Sequence, residues 1–477
     1  MRARWVIGAA VTALAVGATA TYVLARGNPS DLTVGISEPT SLLPGLVDDP
    51  AGRLVVGALW TPLTEVDSAG RAVPRLAASV TSPDQRVWTI RLRPGWRFHD
   101  GTPVTARALA GAWRANLAEG WHGAALIVDT LRVHGARPRA TQIPGVRVVD
   151  EHTVEVSLDA PFAELPLALS APALQPLPES VLSTRDWTGF ATHPIGTGPY
   201  RLAQAWQRGH GASLRRFDGY AGVPAAPAER VNLRVLDPAA QYAEVRAGNL
   251  DLATDVPPDK HGAFGAAFEA RNRTWPQGET TYLGFARTDR RFADAGVRHA
   301  VSLAIDRAAL AAGPLGHQVS PLTALIPPAV PGARTGACRA CQHDEAAARA
   351  TLAAAGGPPA GPVHLWHQPS HAGWATALAD QLGRALRITV LPRRLDGQTP
   401  ADGMFLIDHT AAYPSAYPIL VPLLGGRQPE LDRLCAAAAR QPDPGERLRS
   451  YRLAENIALR DLLLIPLWSR HGHAVMT

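Results

Sequence analysis

Among 477 residues the chain has a single lysine, Lys260, and three cysteines, Cys338, Cys341 and Cys435. One lysine leaves little room for phosphate or imine chemistry. A G-x-x-x-x-G-K-[ST] phosphate loop needs lysine after glycine, and Lys260 follows Asp259. The chain therefore carries no ATPase loop, and any ATP hydrolysis coupled to it belongs to a partner. Schiff-base chemistry has only Lys260 to use, in the turn-like stretch Pro257-Pro258-Asp259-Lys260. No G-x-S-x-G elbow and no H-E-x-x-H pair occurs. With no reactive constellation, the expectation is a binding protein rather than an enzyme, with no cofactor and no resident metal.

Charge of one sign is not concentrated anywhere. Lys and Arg total 47 against 41 Asp and Glu, a net charge of +6. The basic residues are dispersed, with no aromatic-interleaved stripe of the kind a nucleic-acid groove uses, so no nucleic-acid partner is expected. Apolar residues make up 46% of the chain, and 43 Gly with 42 Pro fit many loops between short elements. The length calls for two or three domains.

At the start, Arg2 and Arg4 precede an uncharged run from Trp5 to Leu24, long enough for a bilayer, and Arg26 follows. Ala18 and Ala20 offer an A-x-A cleavage site. Residues 1–30 are read as a signal peptide or an uncleaved membrane anchor, which places the rest outside the cytoplasm. The three cysteines all lie far from this run, so no lipid attachment is expected there. In an exported chain Cys338-Arg-Ala-Cys341 reads most simply as a disulfide. Zinc would need a fourth ligand and usually a second pair; metal or free thiols remain alternatives. His364, His367 and His371 invite the same question, but strand alternation points His364 and His367 to opposite faces.

Strand and helix periods alternate irregularly. Trp88, Ile90 and Leu92 alternate with Thr89, Arg91 and Arg93. Leu32–Ile36 reads as a strand, Val146–Leu158 and Tyr200–Tyr220 as hairpins, and Ile388–Leu391 and Leu462–Leu467 as strands. Val297, Ala300, Val301, Ala304 and Ile305 stripe one helix, Trp374, Leu378, Leu382 and Leu386 a second, and Pro444 to Ala458 forms a third. The pattern predicts α/β lobes with mixed sheets.

Several strings carry a resemblance. They are Ser82-Pro-Asp followed by Trp88-Thr, Phe98-His-Asp-Gly and Pro103-Val-Thr-Ala; Gly196-Thr-Gly-Pro-Tyr200; Gly248-Asn-Leu-Asp251; and Val297-Arg with Ala304-Ile-Asp-Arg307. In this order they resemble the peptide-type, family 5 solute-binding proteins of bacterial ABC importers. The resemblance implies a two-lobed periplasmic-binding-protein fold of class II with an extra inserted domain. It implies a first lobe of 31–55, 186–279 and 462–477, an inserted domain of 56–185 and a second lobe of 280–461. The lobes would hinge near Gln277–Tyr282 and Ala458–Leu462. The implied function is capture of a peptide or similar small solute and delivery to an ABC permease with separate ATPase subunits. The alternative is an envelope sensor or regulator on the same scaffold.

The resemblance also implies a ligand loop in which an Asp meets the peptide's ammonium. The matching stretch here is Asp408-His-Thr-Ala-Ala412-Tyr413-Pro-Ser415, with Ala412 at that position and Asp408 the nearest substitute. The candidate cleft residues are Glu38, Trp60, Trp121, His122, Trp366, His367, Asp408, His409 and Tyr413.

Overall fold

Two long strands, Asn272–Phe285 and Ile465–Met476, run side by side through the middle of one large sheet. The structure, a computed structural model, describes residues 30–223, 226–397 and 400–477. The apolar run Trp5–Leu24 lies outside them. Strands are numbered along the chain as β1 (Asp31–Ile36), β2 (Thr64–Val66), β3 (Ala72–Pro74), β4 (Ala77–Thr81), β5 (Val87–Leu92), β6 (Val146–Val148), β7 (Thr153–Ser157), β8 (Tyr200–Leu202) and β9 (Gly211–Arg216). There follow β10 (Arg230–Val235), β11 (Leu252–Ala253), β12 (Asn272–Phe285), β13 (Val319–Pro321), β14 (Val363–His367), β15 (Val390–Arg394), β16 (Met404–Thr410) and β17 (Ile465–Met476).

The large sheet has the order β15-β14-β16-β12-β17-β11-β1-β10-β9-β8, with β13 added on β17. It mixes parallel pairs, such as β1 with β10, and antiparallel ones, such as β12 with β16. Two apolar cores flank its middle. One gathers Leu32, Ile36, Leu59, Trp60, Ile90 and Trp113, the other Tyr282, Leu365, Leu378, Leu406 and Trp468. A separate four-stranded sheet, β4-β5-β7-β6, lies within the first half of the chain and carries the helix Ala106–Glu119. In β5, Trp88, Ile90 and Leu92 are buried and Arg91 is exposed, as the alternation requires.

β12 and β17 are the connection between the two cores. Asn272–Pro276 pairs with His471–Val475 on one side, and Thr280–Leu283 with Ile465–Ser469 on the other, with a register break between Pro276 and Thr280. The second crossing thus falls inside β17, at Ser469–His471, rather than ahead of it at Ala458–Leu462. β17 also runs on to Met476, beyond the expected end at Leu467. Ser469, His471 and His473 interrupt its apolar pattern, yet Ser469 and His473 are buried.

Helix ends follow local chemistry. Asp49 caps Pro50–Leu59 by accepting from the Gly52 N–H at 2.8 Å, with Pro50 in the first turn. Thr105 caps Ala106–Glu119, and Gly120 ends it in the left-handed region at φ 66°.

Two of the sequence strings meet in space. The turn Gly196-Thr-Gly198 presses on the end of the helix Pro50–Leu59, where the Gly198 N–H donates to the Leu59 carbonyl at 2.7 Å. A Cβ on Gly198 would stand 2.5 Å from the Leu59 carbonyl carbon, which only glycine avoids. His99 holds the same turn from the other side. Its Nδ1 accepts from the Gly196 N–H at 3.1 Å and its Nε2 donates to the Gly198 carbonyl at 3.2 Å. Both bonds together require a neutral ring. Burial pulls the His99 pKa from 6.5 to about 4.

Two outcomes follow from this clamp. Gly198→Ala should destabilise by about 1–3 kcal/mol, the cost of overpacking against fixed backbone, read as a lower urea midpoint. Because the folded state resists protonating His99, the penalty should grow as pH falls from 6.5 towards 4, reaching at most about 3 kcal/mol. Urea titrations across that window should show a shallower acid loss in His99→Gln than in the wild type. Equal slopes would remove His99 from the account.

Candidate ligand cleft

A cavity of about 1020 Å³ opens between the two cores. One wall comes from Pro44, Gly45, Val47, Asp48, Arg53, Trp60–Pro62, His122 and Ala171–Ala173. The facing wall is Pro328–Thr335 and Thr410–Pro414, and Pro276 with Gly278 of β12 lies at the back. The walls are short loops after strands and helices, the usual place for a binding surface on a rigid frame.

Of the candidate residues, Trp60, His122 and Tyr413 line this cavity. Trp60 is almost wholly buried. Its Nε1 donates to the Pro176 carbonyl at 3.3 Å, and its ring meets Phe190 edge-on at 6.3 Å. His122 is open, its Nδ1 3.9 Å from Asp48.

The other candidates stand apart from the cavity. Trp121 packs edge-on against Trp187 at 4.8 Å, directly behind Gly45 of the wall. Glu38 accepts from Trp206 Nε1 at 3.0 Å and from the Gly209 N–H at 2.6 Å, tying the loop after β1 to the turn before β9. Trp366 donates to the Asp402 carbonyl at 3.0 Å, and His367 turns to the Gln368 carbonyl at 2.8 Å. His409 Nε2 meets the Pro418 carbonyl at 2.6 Å.

Asp408 has both oxygens engaged, by Thr281 Oγ1 at 2.8 Å and by His371 Nε2 at 2.6 Å. Burial pushes its carboxyl up, but these two partners hold it below the usual carboxylate range. It is therefore already committed within the second half of the chain. His364 bonds Asp402 at 2.8 Å on the opposite strand face from buried His367. Cys338 and Cys341 are joined by a disulfide with Cα atoms 5.3 Å apart, and Cys435 is a buried thiol pushed up to about 12 by burial.

Two residues that the sequence reading passed over matter more. The first is Arg53, in the capped helix Pro50–Leu59. It lines the cavity half-buried, and among the described residues its guanidinium has no hydrogen-bond acceptor. Burial lowers its pKa, against the opposing fields of Glu279, Asp48 and Asp49.

The second is Glu164, wholly buried at the junction of the two halves. Its carboxylate accepts from the hydroxyls of Tyr413, Ser415 and Tyr451, each at 2.9 Å, and lies 3.3 Å from Arg447 Nε. Burial pushes the Glu164 carboxyl up, and Arg447 with the three hydroxyls opposes the rise. Alongside, the Ala163 N–H donates to the Ala439 carbonyl at 2.6 Å and Phe162 meets Tyr417 edge-on at 5.0 Å. Glu164 was legible as an anomaly: it is the only charge between Asp159 and Glu179.

Removing one partner of a buried, fully bonded charge costs about 3–5 kcal/mol. Glu164→Ala should therefore lower stability by that order and loosen the junction between the halves. Urea titration reads the first effect. Small-angle scattering without ligand should read the second as a larger radius of gyration. An unchanged radius would mean that other contacts hold the halves together.

The family model for bacterial extracellular solute-binding proteins, family 5, matches residues 71–428. The glutathione-binding protein GsiB of Salmonella typhimurium is 26% identical over 473 residues, covering 92% of this chain and 88% of its own length. The Escherichia coli O157:H7 protein of the same name is 25% identical over 468 residues, with the same coverage. Among solved structures, the unliganded open form of the periplasmic murein tripeptide-binding protein MppA superposes with a TM-score of 0.76 at 22% identity. It covers 94% of this chain and 93% of that one. The clavulanic acid biosynthesis oligopeptide-binding protein 2 superposes at 0.79 with 24% identity, covering 94% and 92%. These likenesses give the two-lobed fold, and the matched span fixes the membership: this chain belongs to the family 5 bacterial extracellular solute-binding proteins.

Proposed function

We propose that this protein captures a short peptide or a similar small solute between its lobes and delivers it to the permease of an ABC importer. The observation that carries the reading is the cavity of about 1020 Å³ walled from both halves of the chain. That is room for a ligand of a few residues. The names of the relatives, for glutathione, a murein tripeptide and oligopeptides, point to the same ligand class.

In this reading the first lobe comprises 31–55, 186–279 and 471–477, with 56–185 as the inserted domain and 280–470 as the second lobe, the last boundary following the crossing inside β17. The segment 1–30 exports the chain or anchors it at the outer face of the membrane. Trp60, His122 and Tyr413 meet the ligand directly. Trp121 and Glu38 hold the wall from behind, and His371–Asp408 fixes the end of β16 next to Thr410. Arg53 supplies the donor that the cavity leaves without an acceptor, and a carbonyl or carboxylate of the ligand fills that role.

Mass spectrometry of solute released from the purified protein should find one bound molecule of peptide size. Calorimetric titration with a mixed pool of di- and tripeptides should then give saturable binding. Arg53→Gln should weaken it by about 10- to 100-fold, the value of one charge-assisted hydrogen bond. A folded protein that ignores peptides and releases no solute would end the transport reading in favour of an envelope sensor.

A further inference from the structure

Far from the cleft, the outer face of β8, β9 and β10 carries one arginine per strand in lateral register. Arg201 is paired with Arg215, and Arg215 with Arg230. Residues directly opposite on neighbouring strands project from the same face. The reverse face holds Leu202, Leu214 and Val231 in the first core. Three guanidinium groups therefore stand in a row towards solvent. Like charges in this relation destabilise a sheet.

Most arginines nearby are neutralised. Arg216 lies 3.4 Å from Glu229, and Arg234 lies 2.8 Å from Glu244. Within the row only Arg230 meets an acid, Asp31 at 3.4 Å. Among the described residues Arg201 and Arg215 have no ion pair and no hydrogen-bond acceptor.

The three surround a depression of about 370 Å³ together with Gln204, Ser213 and Asn232, and among the described residues no carboxylate lines it. Ser213 Oγ donates to Asn232 Oδ1 at 2.7 Å, which leaves the Asn232 amide nitrogen as a donor. The depression shares no lining residue with the cleft.

We propose that this depression is a second ligand site, for a phosphate group. Arginine forks match the oxygens of a tetrahedral anion two at a time, and a bound phosphate turns the repulsive row into an attractive one. Either inorganic phosphate or the phosphodiester of a lipid headgroup would supply the chemistry. Asp31, at the end of the row, is about seven residues from Leu24, a span of at most about 25 Å. A headgroup is therefore in reach where the run Trp5–Leu24 sits in a bilayer.

The test titrates the full chain by calorimetry at low ionic strength. Inorganic phosphate is used in one arm and glycerophosphoglycerol, a soluble lipid headgroup, in the other. Saturable binding of at least one probe is expected, weakened at least about tenfold in Arg215→Gln and in Arg201→Gln and unchanged in Arg290→Gln, an exposed arginine elsewhere. Preference for the diester assigns the site to lipid, and preference for inorganic phosphate assigns it to the free ion. Folding is checked by the melting temperature without phosphate. That temperature should not fall in Arg215→Gln, because the substitution relieves repulsion, while the rise on adding phosphate should shrink. The proposal is overturned if neither probe saturates by about 10 mM, or if both row variants bind as tightly as the wild type.

Discussion

The joining of the two cores rests on the pairing of β12 with β17. These strands belong to both cores, so the halves are joined by a sheet rather than by a loose linker. The ladder shifts register between Pro276 and Thr280 and again between Thr281 and Tyr282. Proline offers no N–H to a ladder, so the backbone there is less tied than the strand on either side. Each flank is fixed by its own neighbours, and the register shifts fall in the few residues between them.

Against that freedom stands Glu164. A carboxylate taken out of water is costly, and the cost is offset only when good donors replace the lost hydration. Here four groups from the second half of the chain do so together. A partial separation would lose the donors before water could enter, so half-open geometries are disfavoured relative to fully docked or fully hydrated ones. The buried charge thus sharpens the choice between two arrangements more than it strengthens either. Tyr413 belongs to the cavity wall and to this junction at once. A ligand that shifts its ring changes the junction directly.

The sequence made much of the frame legible. Period-two alternation located β5 and its buried face, and the stripe Val297, Ala300, Val301 marked the helix Ala295–Leu303. The Phe98-His99 string and the Gly196-Thr-Gly198 string were visible separately. Their contact was not, because it joins residues 97 positions apart. The cleft was harder to read. Trp60, His122 and Tyr413 line it, whereas Glu38, Trp366, His367, Asp408 and His409 have hydrogen-bond partners elsewhere. A polar residue beside a predicted strand end can point to either place, and only its partner decides. Asp408 is the clearest case, since His371 reaches it from the short turn ahead of the helix Ala372–Leu386. Arg53 escaped notice because an arginine in an amphipathic helix looks like ordinary solvent-facing charge.

β17 has a consequence for how the chain is made. Its residues, 465–476, occupy the centre of a sheet whose other strands begin at residue 31. Val475 and Met476 pair with β11, which in turn pairs with β1. The first core therefore lacks a central strand until these late residues arrive. Such long-range closure is slow relative to local structure. A growing chain therefore stays without its finished sheet until β17 has been made.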